Sequence, residues 1–485
     1  MRLSELVQGV GTLLRGHGDL EAFHITHDSR RAQPGCVFVA LEGDQFDGHH
    51  YIECALQQGC VAIVTSRPDK VKSDVPILQV EHPRRAMAEL ARRLYGQPDE
   101  QLCTIGVTGT NGKTTTTFLL QQLLLPRGQC GRLGTLTYFN GVSEERATRT
   151  TPESPMLYRS LAEMVENGCR YVAMEISSHA LVLDRIHQLK LNYALFTNLS
   201  QDHLDFHGDM EQYFQAKMRI FEHLQPGGQA LINGDDAFGR RLLKMDGFQV
   251  LSFGRSPDCD LRFEVLGLSP QGSHIRLHFK SDVSEFHLPL LGLHNVYNFA
   301  GALLVALGEG LSFADVARLV PNLKPVAGRM EPVNLGQPFG VAVDFAHSPD
   351  ALEKIAQCCH EMKPKRLIFL FGAGGDRDRA KRPKMGAVVD RFADVIFLTS
   401  DNPRSEDPER ILDDIQQGIQ RPVGSTLVRL SDRRAAIQQA LDLAQPGDLV
   451  LLAGKGHETT QEIKGIHYPF NDREEAITVL KKKGY

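Results

Sequence analysis

The chain has 485 residues, with 54 Lys plus Arg against 59 Asp plus Glu for a formal net charge of −5, and at roughly 150 residues per domain that length predicts about three domains. No basic excess is present to favour non-specific binding to nucleic acid or anionic membrane. Hydrophobic residues at 42% and charged residues at 23% exclude disorder, collagen-like repeats and coiled coil as whole-chain descriptions.

The opening MRLSELVQGVGTLLRGHG lacks the apolar stretch and small-residue cleavage site of a signal peptide, and no apolar run approaches membrane-spanning length. The nine cysteines are scattered without a C-x-x-C, so they read as reduced thiols in a cytoplasmic protein. Residues 1–98 hold short apolar runs, CVFVALEG and VAIVTS among them, and close on the helical HPRRAMAELARRLYGQPDE with its Gly/Pro stop. Residues 99–323 alternate strand and helix: LCTIGVTG, TTTTFLLQQLLL, YVAMEIS and YALFTN, then a hairpin from DLRFEVLGLS and SHIRLHF, then the helix HNVYNFAGALLVALGEG. A second series fills 324–485, with strands in FGVAVDFA, RLIFLFG, ADVIFLTS and DLVLLAG. This alternation predicts an α/β protein with doubly wound parallel sheets, whose ligands bind beyond the carboxyl ends of the strands.

The clearest chemical signal is Gly109-Thr110-Asn111-Gly112-Lys113-Thr114-Thr115 between a strand and a helix. Glycines there let backbone N–H groups turn toward phosphate oxygens at the positive end of a helix dipole. Lys113 reaches β- and γ-phosphates and the Thr114 hydroxyl suits Mg²⁺, although Val107 stands where the general phosphate-loop pattern has its first glycine. Glu175, ending a strand, is a second Mg²⁺ candidate. His203 and His207 with Asp202 and Asp205 raise zinc as an alternative, but no H-E-x-x-H accompanies them.

HDSR, GTNGKTT, MEISSHAL, TNLSQDHLDFHG followed by Lys217, HNVYNFAGAL, DFAHSPDAL and DNPR, in this order along the chain, resemble the Mur ligases of peptidoglycan synthesis. The resemblance implies three domains: an N-terminal uridine-binding α/β domain (1–98), a central ATP-binding domain built on a P-loop-type doubly wound sheet (99–323), and a C-terminal Rossmann-like domain for the amino acid (324–485). It implies ATP-dependent amide formation through an acyl phosphate, with Lys113, Thr114, Glu175 and His203 holding the phosphates and Mg²⁺, two ions in the family's manner. Lys217 matches the lysine that the family carbamylates with CO₂, which turns a cation into an anionic support for metal. Asn295, with Asn298 beside it, matches adenine contacts; Arg329 and Asp344 match ATP contacts from the C-terminal domain.

By the same resemblance His27, Ser29, Asp44, Gln45, Phe46, Thr150, Thr151, Ser177 and Arg185 hold UDP-MurNAc-L-Ala-D-Glu. Arg149 and Leu183 stand where the family commonly has asparagine and glutamine. Arg377, Asp401, Asn402, Pro403, Arg404, Gly454 and Glu458 match contacts to the amino acid. Arg404 points to meso-diaminopimelate, because a guanidinium fork gains a bidentate partner from its far carboxylate and none from L-lysine. L-lysine as the amine, folylpolyglutamate synthesis, and a nucleotide switch or kinase remain the alternatives. A monomer is expected, with no nucleic-acid partner and no membrane insertion.

Overall fold

Runs rich in Val, Ile, Leu and Phe become buried strands throughout the chain, as their fit to a packed pleated surface favours. The computed structural model describes residues 1–15, 19–43 and 46–485, so the expectations for Asp44 and Gln45 lie outside the described residues. Two compact units result, one of residues 1–260 with 301–311 and one of 261–300 with 312–485.

The first unit opens with a sheet in the order β1-β5-β4-β3-β2, from β1 (Thr12–Arg15), β2 (His24–Thr26), β3 (Cys36–Val39), β4 (Cys60–Thr65) and β5 (Ile77–Gln79). Its longer helix, Pro83–Leu94, starts on proline, whose missing N–H costs nothing at a first helical position. It ends where Gly96 and Gln97 take positive φ, at the expected Gly/Pro stop. The helix buries Met87, Leu90 and Ala91 in a core shared with Leu157 and Leu161 of the helix Ser154–Glu166.

The larger sheet of this unit contains β6 (Cys103–Thr108), β7 (Cys130–Leu133), β8 (Thr137–Phe139), β9 (Glu144–Arg146), β10 (Tyr171–Glu175), β11 (Leu191–Phe196), β12 (Leu224–Asn233) and β13 (Gln249–Gly254). Their order is β13-β12-β11-β6-β10-β7-β8-β9. The strands from β13 to β7 pair in parallel, and β8 and β9 add an antiparallel edge. Because the chain passes from β6 to β7 on one side and later sets β11 on the other, β6 stands at a topological switch point, where a ligand crevice is expected.

The second unit begins with an antiparallel meander of β14 (Leu261–Ser269), β15 (Gly272–Phe279) and β16 (Asp282–Leu288), one strand more than the predicted hairpin. A further sheet has the order β17-β18-β22-β19-β20-β21, from β17 (Glu331–Pro332), β18 (Gly340–Asp344), β19 (Leu367–Phe371), β20 (Val395–Leu398), β21 (Leu427–Arg429) and β22 (Leu449–Ala453). Apart from β17 it is parallel. Both faces are covered by apolar clusters, one including Leu352, Phe369 and Leu412 and the other Val341, Leu370 and Leu480. A hairpin of β23 (Thr460–Ile463) and β24 (Ile466–Pro469) follows β22.

Candidate active site

The phosphate loop leaves the carboxyl end of β6 and runs into the helix Lys113–Leu124. Gly109 has φ +145°, and a Cβ there would stand 1.9 Å from the Thr197 Oγ1, so only glycine fits. Gly112, at φ +90°, turns the chain into the helix, whose first turn buries Thr114 and Thr115. The segment after β11 fixes the loop: the Thr110 N–H donates to the Asn198 carbonyl at 2.9 Å, and the Thr197 hydroxyl donates to the Asn111 carbonyl at 2.6 Å. The Asn111 N–H also donates to Asn198 Oδ1 at 3.1 Å.

Lys113 folds over this loop, donating to the carbonyls of Gly109 at 2.9 Å and Thr110 at 3.0 Å. Lys217 reaches the same Gly109 carbonyl at 2.8 Å. It is 1% exposed, and its Nζ lies 4.6 Å from the centre of the Tyr213 ring. Burial pushes its ammonium well below the usual lysine range, Lys113 pushes it further, and Asp202 opposes them.

Glu175 is also buried; its carboxylate accepts the Thr135 N–H at 2.8 Å and the Thr135 hydroxyl at 2.9 Å. His203 precedes the short helix Leu204–His207 at φ +52°, with its ring half exposed and edge-on to His179. His207 instead gives its Nε2 contact, 2.9 Å, to the Ser178 hydroxyl and stacks on Tyr213. The zinc alternative is not supported: both histidines pack against His179 and Tyr213, but with Asp202 and Asp205 they form no group of converging ligand atoms among the described residues.

Most of the substrate residues expected in the central block meet near the end of β10. The Thr151 hydroxyl donates to the Glu175 carbonyl at 2.8 Å and accepts the Ser177 N–H at 3.0 Å. The Thr135 and Thr150 hydroxyls lie 3.1 Å apart. Arg185 donates to the Thr151 carbonyl at 3.2 Å and pairs with Glu153 at 2.9 Å, while Arg84 takes the other Glu153 oxygen at 3.2 Å. Of the N-terminal residues, Ser29 is buried, Phe46 is exposed, and His27 is half-buried with an unpartnered Nδ1. Burial lowers the His27 pKa against the opposing charge of Glu153. Arg149 is exposed, its backbone held by the Tyr138 hydroxyl.

In the second unit, Asp344 ends β18 and accepts the N–H groups of Met330 and Ala346, both at 2.8 Å. Burial raises its pKa despite those bonds. Arg329 lies over the Phe345 ring. Asn295 and Asn298 are buried near the start of the helix Leu293–Gly308, where Asn295 donates to the Leu291 carbonyl at 2.9 Å and Asn298 to Asn295 Oδ1 at 3.1 Å.

The DNPR loop follows β20 and packs on GAGGD, where a Cβ at Gly375 would stand 1.9 Å from the Pro403 carbonyl oxygen. Asn402 donates to Glu458 at 2.8 Å and accepts from Lys455 at 3.0 Å. Lys455 is fully buried and also bonds Glu458 at 2.8 Å. Burial opposes ionisation of Glu458, but the Lys455 hydrogen bond prevails and lowers its pKa. Asp401 Oδ2 is buried without a hydrogen-bond partner, and a Cβ at Gly454 would come within 2.6 Å of it. Arg404, at φ +52°, donates its Nη1 to the Gly375 carbonyl at 2.6 Å and pairs its Nε with Glu462 at 3.2 Å. Arg377 is exposed on the neighbouring loop.

Four contributors escaped the sequence reading: Thr135, Glu153, Lys455 and Glu462. Glu153 follows Thr151 by two residues and Lys455 follows Gly454 directly, so a charged residue beside assigned contacts was the available signal. Thr135 and Glu462 carry no such mark.

Three family models match in order: "Mur ligase family, catalytic domain" over residues 22–95, "Mur ligase middle domain" over 107–306, and "Mur ligase, glutamate ligase domain" over 328–456. A UDP-N-acetylmuramoyl-L-alanyl-D-glutamate–2,6-diaminopimelate ligase of Solibacter usitatus (strain Ellin6076) is 43% identical, covering 96% of this chain and 94% of its own. One of that name from Aquifex aeolicus (strain VF5) is 41% identical, covering 95% and 94%. A solved structure of a ligase with this name superposes with TM-score 0.76 at 31% identity, covering 100% of this chain and 99% of that one. The MurF ligase of Thermotoga maritima, solved in complex with ADP, shares the fold with TM-score 0.62 at 20% identity, covering 96% and 99%.

Proposed function

The chain belongs to the Mur ligase family, and from that premise we propose that it joins meso-2,6-diaminopimelate to the D-Glu carboxylate of UDP-MurNAc-L-Ala-D-Glu, with ATP converted to ADP and phosphate. A carboxylate resists an amine because an oxide would have to leave. Transfer of the γ-phosphoryl group to one carboxylate oxygen gives an acyl phosphate; the amine adds to its carbon, loses a proton, and phosphate leaves as the amide forms. Catalysis of this sequence is mainly positioning and charge neutralisation.

In this reading residues 1–98 take the nucleotide sugar, 99–323 take ATP, and 324–485 take the amine. The N–H groups of Gly109–Thr115 and the Lys113 ammonium hold phosphate oxygens. Thr114, Glu175, His203 and carbamylated Lys217 would hold Mg²⁺, and the set fits: a hydroxyl, a buried carboxylate braced by Thr135, an imidazole and a second anion. Bound Mg²⁺ supplies positive charge to the phosphoryl oxygens. Burial favours the neutral Lys217 amine, whose lone pair attacks the carbon of CO₂; loss of the amine proton leaves the carbamate anion.

The observation that carries the ligase reading is the buried Lys217 amine, 2.8 Å from the carbonyl of the loop glycine that Lys113 also bonds. Arg404 carries the choice of amine. Among the described residues no helix is long and apolar enough to cross a membrane; a monomer acting in the cytoplasm completes the proposal.

The test is phosphate release from ATP with UDP-MurNAc-L-Ala-D-Glu and either meso-diaminopimelate, L-lysine or no amine. Turnover with diaminopimelate alone is expected. Equal turnover with lysine would keep the ligase and discard the role of Arg404, whereas release without amine would discard ligation.

A further inference from the structure

Resting on the assignment of Arg404 to the far carboxylate of diaminopimelate, we propose that Glu462 is a built-in surrogate for that carboxylate, which competes with the substrate for Arg404 and narrows the preference over lysine. The side chain of Arg404 is 23% exposed and that of Glu462 28%, so the pair stands at the rim of the amine loops. The Glu462 carboxylate sits 3.2 Å from Arg404 Nε, while Nη1 is committed to the Gly375 carbonyl at 2.6 Å. A carboxylate binds a guanidinium best through two parallel N–H donors. With Nη1 turned to the backbone, the Nε edge is where such a fork forms, and Glu462 already occupies it.

The backbone makes this placement independent of the carboxylate. The Arg404 N–H donates to the Glu462 carbonyl at 3.0 Å, and the Glu462 N–H donates to Asn402 Oδ1 at 3.0 Å. The Lys464 N–H returns to the Arg404 carbonyl at 2.6 Å. Strand β23 is thus fastened to the DNPR loop on both sides of the Glu462 side chain, and removing its charge leaves those bonds intact.

Two effects on selectivity follow. An incoming carboxylate must displace or crowd a like charge, which weakens diaminopimelate. When lysine enters, Arg404 keeps Glu462 as its partner, so the penalty of an unpaired guanidinium that would otherwise reject lysine is relieved. Glu462 therefore works through Arg404 as a specificity-setting residue.

The experiment compares wild type with Glu462→Gln and Glu462→Asp in steady-state ligation, varying meso-diaminopimelate, L-lysine and ATP separately. For a partly exposed pair, the KM for diaminopimelate in Glu462→Gln is expected to fall roughly two- to five-fold, with the KM for ATP unchanged and Glu462→Asp close to wild type. Any measurable lysine turnover is expected to fall relative to diaminopimelate. A KM for diaminopimelate that rises in Glu462→Gln would make Glu462 a support of Arg404 or a substrate contact and overturn the proposal. An unchanged KM would overturn it too. If Glu462→Gln loses its fold by circular dichroism, Glu462→Ala replaces it under the same criteria. Failure of wild type to use diaminopimelate at all would instead fall on the assignment of Arg404.

Discussion

Two lysines share one carbonyl at the nucleotide loop, and their surroundings divide the work between them. Lys113 lies at the start of a helix and folds back over the loop carbonyls, while Lys217 is sealed beneath the loop against Tyr213. A buried amine that burial holds toward its neutral form is a nucleophile for CO₂, and the product anion would then face Lys113 as an opposite charge. Lys217→Ala is expected to abolish phosphate release, with partial recovery on adding a small carboxylic acid that supplies the missing anion. Full activity of the variant would remove Lys217 from the mechanism, and absence of rescue would count against the carbamate. Arg404 makes a separate prediction, since its guanidinium bonds a charged group: Arg404→Ala should raise the KM for diaminopimelate by about ten- to a hundred-fold, the worth of a hydrogen bond to a charged group. The KM for ATP should stay near wild type, and equal rises in both would deny Arg404 its selective role.

At the level of elements, the loop between β6 and the helix Lys113–Leu124 is held by backbone shape as much as by side chains. A methyl at Gly109 would collide with the Thr197 hydroxyl at 1.9 Å, on a backbone already at φ +145°. Gly109→Ala should therefore weaken ATP binding by about five- to 150-fold, from strain on the order of 1–3 kcal/mol, as read by titration with a fluorescent ATP analogue; wild-type affinity would show that the loop need not hold this shape. This element was legible in the sequence because strand, glycine turn and helix follow one another locally. The parallel strands β6, β10, β11, β18, β19, β20 and β22 were legible as well, because strands buried on both faces read as unbroken apolar runs. The hairpin β23–β24 was not, since its strands TQEI and IHYP are mixed in polarity and partly or wholly exposed. Thr135 and Glu462 stayed hidden for a different reason. Each acts through contact with a residue far along the chain, Glu175 and Arg404, and such pairs leave no local periodicity.

Across the whole molecule, buried titrating groups divide unequally between the two units, and falling pH should act more strongly on the first. The first unit holds His24, His27, His187 and His223 below the ordinary 6.5, each chiefly by burial, with His223 lowered to about 4. The second unit has His294 lowered to about 4 and relies on ionic ties, among them Arg433–Asp472 at 2.6 Å and Arg382–Glu406 at 2.7 Å. The hydrogen bond from Arg382 lowers Glu406 to about 2. For a histidine lowered on folding, the unfolded chain binds more protons between pH 6.5 and 4, so stability is retained above 6.5 and lost as pH falls through that window. For Glu406 the loss begins only as pH falls below its ordinary 4.5 and continues toward 2. By about pH 5, His223 should cost the first unit about 2 kcal/mol, at 1.36 kcal/mol per pKa unit, and His294 the second unit as much, so the excess in the first unit comes from His24, His27 and His187. The chain has no tryptophan, so Phe248→Trp reports on the first unit and Phe392→Trp on the second. Urea unfolding at about pH 7.5 and about pH 5 should lower the Phe248→Trp midpoint more than the Phe392→Trp midpoint. Adding His223→Gln, whose amide can still reach the Leu189 carbonyl that His223 contacts at 3.2 Å, should recover part of the first-unit loss. Equal acid shifts at both reporters, or a loss untouched by His223→Gln, would mean that the buried histidines do not set the order in which the units yield to acid.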